Sequence, residues 1–245
     1  MSKKLHDIDF EFFNMVKANE IPDVDSCDIV GFATFTDFLG PPQLVYDFMQ
    51  KMPQQKNKPA FVFVTYGSIP GRALKALANL VEAKGFKVIA GHYLKMPESY
   101  PPAIVSRITD ENAPNEKELT KFNNFITDLD ENINTAVKNK EIKTGALKIG
   151  FVNRFLPILS RTSARKKMGE KYVDQALCTK CGQCAKGCPY NAIILSPFPT
   201  FDMAKCFGCW YCYNHCPKKA IYTKKYRNVG HYPKPNDKLE KKLKA

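Results

Sequence analysis

Apolar residues in the first hundred positions follow a short period in some segments and a helical period in others. Residues 7–16 (DIDFEFFNMV) alternate polar and apolar positions and predict a strand at or near a sheet edge. Residues 28–34 form a short apolar run with β-branched residues, and residues 59–65 (PAFVFVT) are continuously apolar, as in a strand covered on both faces. Residues 86–93 form a further apolar run. These segments predict four strands.

Helical segments separate the predicted strands. The first follows Pro41 and Pro42, which are favourable at a helix start, and extends to about Met52. The second covers residues 72–84 and ends at Gly85, a residue common after a helix. Its apolar face consists of Leu74, Leu77, Ala78 and Val81. Alternation of strands and helices predicts an α/β domain with a parallel sheet and helices on both faces.

A polar helix is predicted over residues 114–140, after the last strand. Its apolar stripe consists of Leu119, Phe122, Phe125, Ile126, Leu129 and Ile133. Residues 145–160 are more apolar and precede a basic stretch at 161–171. They fit either a linker packed between domains or a helix on a membrane surface, and Pro157 favours the linker because it interrupts a helix. The Lys- and Pro-rich tail at 228–245 is expected to be mobile.

The most informative feature of the composition is its excess of basic residues. The 245 residues are 44% hydrophobic, and none of the apolar runs approaches the roughly 20 residues of a membrane helix. The formal net charge is +13, and residues 138–171 and 218–245 each carry ten basic and two acidic residues. This basicity favours an acidic partner or balances anionic groups that lie between the two segments. Binding to nucleic acid is unlikely, because no groove-reading motif accompanies the charge.

Eight of the nine cysteines form two runs with identical spacing, C-x-x-C-x-x-C-x-x-x-C-P, at an offset of 28 residues. The first run is Cys178, Cys181, Cys184 and Cys188, and the second is Cys206, Cys209, Cys212 and Cys216. Three neighbouring residues repeat at the same offset: Asp174 with Asp202, Ala192 with Ala220, and Ile193 with Ile221. The region is therefore an internal duplication of one unit.

Thiols at i, i+3 and i+6 can bind one side of an iron–sulfur cube. The fourth cysteine is one residue too far along a tight loop, so in this spacing it ligates the other cluster. One [4Fe-4S] cluster is then held by Cys178, Cys181, Cys184 and Cys216, and the other by Cys206, Cys209, Cys212 and Cys188. Structural zinc more often has paired C-x-x-C knuckles with a longer gap, and disulfides need an oxidising compartment. Residues 173–223 resemble the two-cluster bacterial ferredoxins, which implies electron transfer and favours the cytoplasm.

A second resemblance concerns the segments 28–36 with Gly40, 61–71, and 88–97. They look like the flavodoxin-like half of flavodoxin–ferredoxin fusion proteins, an oxidoreductase-type architecture in which an FMN-type domain precedes a two-cluster ferredoxin. In flavodoxin-like folds the flavin ring lies between loops at the carboxyl ends of neighbouring strands. The resemblance implies FMN-binding positions at Thr34 and Phe35 in one loop, and at Tyr66, Gly67, Ser68 and Gly71 in the other.

The chain departs from that family at its start. The first flavodoxin strand and its phosphate-binding loop are missing, and residues 1–7 resemble the end of the following helix. In the strand order 2-1-3-4-5 this leaves a gap in the sheet. Either the natural chain begins further upstream, or this version is truncated, or the sheet closes differently. The predicted fold is an α/β flavodoxin-like domain, incomplete at its N-terminus, followed by a small α+β two-cluster ferredoxin domain.

The predicted organisation is a flavodoxin-like domain at 1–140, a basic linker at 141–171, the ferredoxin domain at 172–225 and a basic tail at 226–245. Cys27 lies outside the repeat and is expected to be a packed residue. None of the four histidines has metal or triad spacing, although His215 precedes a ligand. The aromatic residues Tyr190, Trp210, Tyr211 and Tyr213 are expected to shield the clusters. The leading prediction is an electron carrier; the alternatives are a flavin-dependent reductase and a redox sensor that binds nucleic acid.

Overall fold

The computed structural model describes residues 5, 8–16, 20–138, 142, 145, 147–232 and 237–244, without the side chains of 138 and 161–164. The chain divides into two units. The first consists of residues 1–96, 112–158 and 241–245, and the second of residues 97–111 and 159–240. Each unit therefore takes residues from separate parts of the chain, and the domain boundaries expected from the sequence stay a prediction.

Three strands form the sheet of the first unit. Strand β1 is Val30–Phe35, β2 is Lys58–Tyr66 and β3 is Phe86–Lys95. They pair in parallel in the order β1-β2-β3, with a bulge between Ala60 and Phe61. Helix α1, Gln43–Lys51, connects the first two strands, and helix α2, Ala73–Ala83, connects the last two. The predicted parallel α/β arrangement is confirmed.

Side chains of β2 alternate between two hydrophobic cores, as the period of a strand requires. Val62 and Val64 face one core, which contains the buried residues of α1 and α2. Phe61 and Phe63 face the other, which contains helix α4. Helix α4, Glu116–Lys138, follows the short helix α3, Pro101–Val105. Burial of one large apolar side chain contributes about 1.5–3 kcal/mol, so the α4 stripe, including the fully buried Leu129, holds this helix on the sheet.

The strand expected at residues 7–16 is a wrong prediction, because the described residues 8–16 contain no strand. Alternation of exposure stops after Phe10, which packs on the α4 core, while Phe12 is 82% exposed. An alternation of polar and apolar residues that continues over so few positions is too weak to predict a strand. The gap was predicted between that strand and β1, and the described sheet ends there, since β1 is one of its edges.

The second unit is built from short elements. It contains α3, helix α5, Arg161–Met168, and strand β4, Lys171–Val173, whereas the 3₁₀ turn at Val152–Arg154 belongs to the first unit. The remaining elements are α6 (Gln183–Lys186), β5 (Ile193–Leu195), β6 (Pro199–Phe201), α7 (Tyr211–His215), β7 (Ile221–Thr223) and α8 (Asp237–Lys244). Residues 241–244 of α8 belong to the first unit. Strands β4 and β7 form one antiparallel pair, and β5 and β6 form another.

The tail was expected to be mobile, and its residues 237–244 instead form α8. Leu239 is 6% exposed, and Leu243 packs against the α4 core. Lys242 Nζ donates hydrogen bonds to the carbonyl oxygens of Asn112 and Pro114, at 2.7 and 3.2 Å. Two leucines four residues apart lie on one helix face, and this signal was hidden by the surrounding lysines. No helix among the described residues is long and apolar enough to cross a membrane.

Candidate functional site

The duplication in the sequence is also a duplication of backbone structure. Strand β4 corresponds to β6, and β5 to β7, at the 28-residue offset. The first strand of each repeat pairs with the last strand of the other, since β4 pairs with β7 and β6 with β5. The two repeats therefore exchange strands reciprocally and form one structure.

Asp174 and Asp202 fix equivalent turns before the two cysteine runs. The Asp174 carboxylate accepts hydrogen bonds from the N–H groups of residues 176 and 177, at 3.1 and 3.4 Å. Asp202 accepts from residues 204 and 205, at 2.9 and 3.2 Å. Each aspartate carbonyl also accepts a 3.0 Å bond from the first cysteine of its run, Cys178 or Cys206. An Asp side chain bonded to the following N–H groups is a standard turn device.

One cavity is formed mainly by the second cysteine run and is called here the buried cavity. It encloses about 320 Å³ of space not filled by protein atoms, part of it open to solvent. Its lining brings together Cys206, Cys209, Cys212 and Cys188. Cys206 and Cys212 are 6% and 4% exposed. The last cysteine of the first run thus joins the three leading cysteines of the second.

The reciprocal cavity is called here the outer cavity, because Cys181 in its lining is exposed. It encloses about 380 Å³ by the same measure. Its cysteines are Cys178, Cys181, Cys184 and Cys216. The structure therefore brings together the two predicted sets of four cysteines, each in its own cavity.

Main-chain N–H groups point at three of these sulfurs. Ala192 N donates to Cys188 Sγ at 3.4 Å, and its repeat partner Ala220 N donates to Cys216 Sγ at 3.2 Å. Gly208 N donates to Cys206 Sγ at 3.4 Å. Donors of this kind stabilise thiolates and raise the reduction potential of a bound cluster.

A lysine side chain is buried in the first of these cavities. Lys171 Nζ donates a hydrogen bond to Cys206 Sγ at 2.8 Å, and the side chain is 8% exposed. Burial lowers the pKa of Lys171, but the negative charge that Cys212 and Cys206 carry once deprotonated outweighs burial and leaves the pKa raised. Sequence reasoning missed this residue because it is the last residue of the stretch assigned to the basic linker. Its position three residues before Asp174, where the second repeat has Pro199, is the signal that distinguishes it.

Burial also controls the protonation of the cavity thiols. It raises the pKa of Cys212 to about 12, and Lys171 opposes this shift. Burial raises the pKa of Cys209 and of Cys184 as well. Burial therefore favours the protonated form of these thiols, and metal binding to them would release protons.

The sulfur arrangement differs from that of a mononuclear metal site. Among the described residues, no three His, Cys, Asp or Glu side chains converge closely enough to hold one metal ion. A [4Fe-4S] cluster instead takes four cysteine thiolates on four different irons, so its ligands surround a cube. Four cysteines around each cavity fit that donor set.

Aromatic rings cover the buried cavity. Tyr190 and Phe207 stack with ring centroids 3.8 Å apart, and both line the cavity together with Tyr211. Trp210 and Tyr213 pack against Cys206 in an adjoining core. The predicted shielding residues therefore lie beside the buried cavity rather than the outer one. His215 is exposed and its Nδ1 lies 3.0 Å from the Tyr211 carbonyl oxygen.

The residues predicted to contact a flavin lie at the carboxyl edge of the parallel sheet. Thr34 and Phe35 end β1, and Tyr66 ends β2, with Phe35 paired to Thr65. The loops that follow are joined by a 3.0 Å hydrogen bond from Thr36 Oγ1 to the Pro70 carbonyl. The structure thus brings the two loops together, and flavin binding there stays a prediction.

Gly71 in the second loop has a structural reason to be glycine. Its φ is +55°, and a Cβ atom there would lie 2.5 Å from the Leu39 main chain. Gly67 and Ser68 lie between Tyr66 and Gly71 in the same loop. Cys27 lies in the first unit, half-buried, and its carbonyl accepts a 2.7 Å bond from Lys58 Nζ.

Comparison with family models identifies the cysteine region. Residues 177–221 match the model described as a 4Fe-4S dicluster domain, and all eight clustered cysteines lie in that range. The match supports iron–sulfur electron transfer and at least one iron–sulfur cluster near these cysteines. A search of curated proteins found no match.

Proposed function

We propose that this chain is an electron carrier that binds two [4Fe-4S] clusters and passes single electrons between a redox partner and a flavin or partner enzyme. The observation that carries the proposal is the sorting of eight cysteines into two cavities. Each cavity takes three cysteines of one run and the last cysteine of the other. This is the ligand exchange typical of two-cluster ferredoxins.

A [4Fe-4S] cluster exchanges one electron at a potential set by charge, hydrogen bonds to sulfur and solvent exposure. The chain has features that would affect the potential in these ways. Ala192 and Ala220 hold equivalent sulfurs by N–H bonds. The stacked rings of Tyr190 and Phe207 exclude water on one side of the buried cavity.

The outer cavity is the favoured place for a partner to deliver or take an electron. Cys181 is exposed there, and the exposed Lys180 and Lys218 lie in the same lining. Lysines around an exposed redox centre attract an acidic partner over long distances. Association with such a partner should weaken as salt increases, because exposed charges are screened.

Metal analysis of anaerobically purified protein tests the proposal. We expect about eight iron and eight sulfide per chain, as two cubane clusters require. Cys181→Ser should lose about half of both, whereas the matched control Cys27→Ser should keep them. About two zinc ions per chain and no sulfide would rule out the ferredoxin-type function.

A flavin site at the sheet edge is the second candidate, and it would make the chain a flavin-dependent reductase supplied by its own clusters. The supporting observation is the junction of the β1 and β2 loops, where Phe35 is 51% exposed beside the end of β2. The loop positions named for this site would contact the flavin ring, so FMN and riboflavin should bind with similar affinity.

Titration with FMN and with riboflavin, followed by flavin fluorescence, separates the outcomes. Similar weak affinities support a site for the ring. A phosphate site with two charge-assisted hydrogen bonds, each worth about 1.5–3 kcal/mol, would make FMN bind at least a hundredfold more tightly. That result would contradict the sequence interpretation, and no quenching of either flavin would remove the flavin site from the proposal.

A further inference from the structure

The two cavities differ at one pair of repeat-related positions. Lys171 opens β4 and lines the buried cavity, and Pro199 opens β6 and lines the outer cavity. These residues are 28 positions apart and therefore equivalent in the duplication. Proline carries neither a charge nor a side-chain donor, so only one of the two cavities receives a cation from this strand position.

The Lys171 ammonium is held where its charge acts strongly. Its Nζ lies 2.8 Å from Cys206 Sγ and 5.8 Å from the centre of the Phe201 ring. With 8% of the residue exposed, water screens it little, and electrostatic interactions are several times stronger there than at the surface. The preceding residue, Glu170, accepts a 2.8 Å hydrogen bond from the Tyr172 hydroxyl, whereas the Lys171 ammonium donates to Cys206 Sγ.

The lysines of the outer cavity are placed differently. Lys180 and Lys218 are both exposed, and Lys180 Nζ lies 4.8 Å from the centre of the Phe198 ring. Exposed charges are screened by water and salt and contribute little to a nearby interaction. They do not substitute for a buried ammonium bonded to a ligand sulfur.

Burial by itself would make the inner cluster hard to reduce. An added electron increases the negative charge of a cluster, and burial in a medium of low dielectric disfavours the more highly charged state. Cys206 and Cys212 are nearly inaccessible, whereas Cys181 is exposed. Without a compensating charge, the electron would remain at the outer site.

We propose that Lys171 is a positioning residue that raises the reduction potential of the cluster held by Cys188, Cys206, Cys209 and Cys212, so that an electron entering at the outer cavity can pass to the buried one. The inference rests on the proposed two-cluster function. Lys171 acts by donating its charged hydrogen bond to Cys206, which stabilises the reduced state more than the oxidised state. Each cluster takes one electron, supplied by the acidic one-electron donor proposed above or, in the assay, by dithionite, which is oxidised to sulfite.

Lys171→Met is the decisive variant, because methionine keeps the length and apolar character of the side chain and removes the charge. Loaded protein is titrated anaerobically with dithionite, and the reduced clusters are followed by electron paramagnetic resonance. We expect the reduction equilibrium of one cluster to fall at least tenfold, which is about 59 mV for one electron, while the other cluster stays unchanged. Equal shifts of both clusters, or no shift, would overturn the proposal.

Two matched variants separate charge from structure. Lys171→Arg keeps a charged donor and should retain most of the parent potential, so an Arg variant that behaves like the Met variant would also overturn the proposal. Lys180→Met removes an exposed lysine from the outer cavity and should shift neither potential by as much. Iron and sulfide analysis of every sample distinguishes this failure from that of the proposed function, since chains without sulfide would refute the clusters themselves.

Discussion

Gly182 and Trp210 occupy the same left-handed backbone position in the two repeats, with φ angles of 74° and 60°. Each residue directly precedes the short helix that carries the third cysteine of its run. Gly182 meets the requirement without a side chain. Trp210 meets it against a steric cost, and its side chain is 2% exposed, packed between the rings of Tyr213 and Tyr226. In the second repeat this turn position therefore also contributes a side chain, that of Trp210, to the hydrophobic core.

Trp210→Gly should destabilise the second unit despite relieving the strained backbone. A left-handed conformation costs a residue with a side chain about 1–2 kcal/mol, whereas truncation of a buried tryptophan costs about 3–5 kcal/mol. We expect a net loss of about 1–4 kcal/mol, seen as a lower guanidinium midpoint for loss of cluster absorbance. Gly182→Ala is the matched control and should cost about 1 kcal/mol, because its Cβ would meet only Leu195 Cδ1, at 3.3 Å. A Trp210→Gly midpoint at or above that of the parent would contradict the packing argument.

The proposed exchange of ligands between the two cysteine runs predicts a pattern of iron loss in double variants. Cys188 lines the same cavity as Cys209, whereas Cys181 lines the other. The double variant Cys188→Ala/Cys209→Ala should therefore lose about four iron, no more than either single variant. Cys188→Ala/Cys181→Ala should lose about eight. If each run held its own cluster, the first pair would lose eight and the second only four, so iron analysis decides between the two arrangements.

The period of the apolar residues and the residues typical of turns were sufficient to predict much of the fold. Helix α2 was predicted within one residue at each end because Leu74, Leu77 and Val81 share a face and Gly85 follows. Strand β2 was also predicted correctly, because a continuous apolar run of this length is typical of a strand that is covered on both faces of its sheet. Residues 8–16 were misjudged because two alternations imitate a strand, and α8 was missed because its apolar signal is only two leucines.

The grouping of the eight cysteines into two cavities agrees with their spacing, whereas the environment of the sulfurs was not predicted. Cysteine spacing specifies ligands because the cluster imposes the loop. Lys171 was not found, because a single lysine in a basic stretch gives no sign of burial until β4 pairs with β7. The inclusion of residues 97–111 in the second unit is likewise a consequence of tertiary contacts such as Asn214 Nδ2 to the Ser99 carbonyl, at 2.8 Å.

Gly85 should tolerate no side chain. Its φ is +79°, and a Cβ there would lie 2.0 Å from the Gln55 carbonyl oxygen. Gly85→Ala should destabilise the first unit by about 2 kcal/mol or more, because the left-handed backbone and the collision with main chain both oppose alanine. Thermal unfolding followed by far-ultraviolet circular dichroism measures the loss. Asn57 provides the control; its N–H donates to the Gly85 carbonyl at 2.8 Å, and its φ is 58°. Asn57→Gly relieves this left-handed backbone and should not lower the melting temperature.

His92 should make the stability of the first unit depend on pH. Its ring stacks on Phe125 with centroids 4.9 Å apart, and burial, followed by the charges of Lys121 and Lys148, lowers its pKa to about 4. An unfolded histidine titrates near 6.5, so the neutral ring favours the folded state and its contribution is complete above about pH 6.5. As pH falls from 6.5 towards 4 the unfolded chain takes up the proton first, and that stability is lost.

Replacing His92 by an uncharged residue should therefore flatten this dependence. The melting temperature of His92→Phe should fall less between pH 7 and pH 5 than that of the parent, and the comparison cancels the carboxylates common to both chains. His92→Gln removes the same titration without an aromatic ring, so it should show the same flattening from a lower starting temperature, because the stacking on Phe125 is lost. Circular dichroism of the three proteins at both pH values measures the two effects separately, and an unchanged slope in His92→Phe would show that other groups cause the pH dependence.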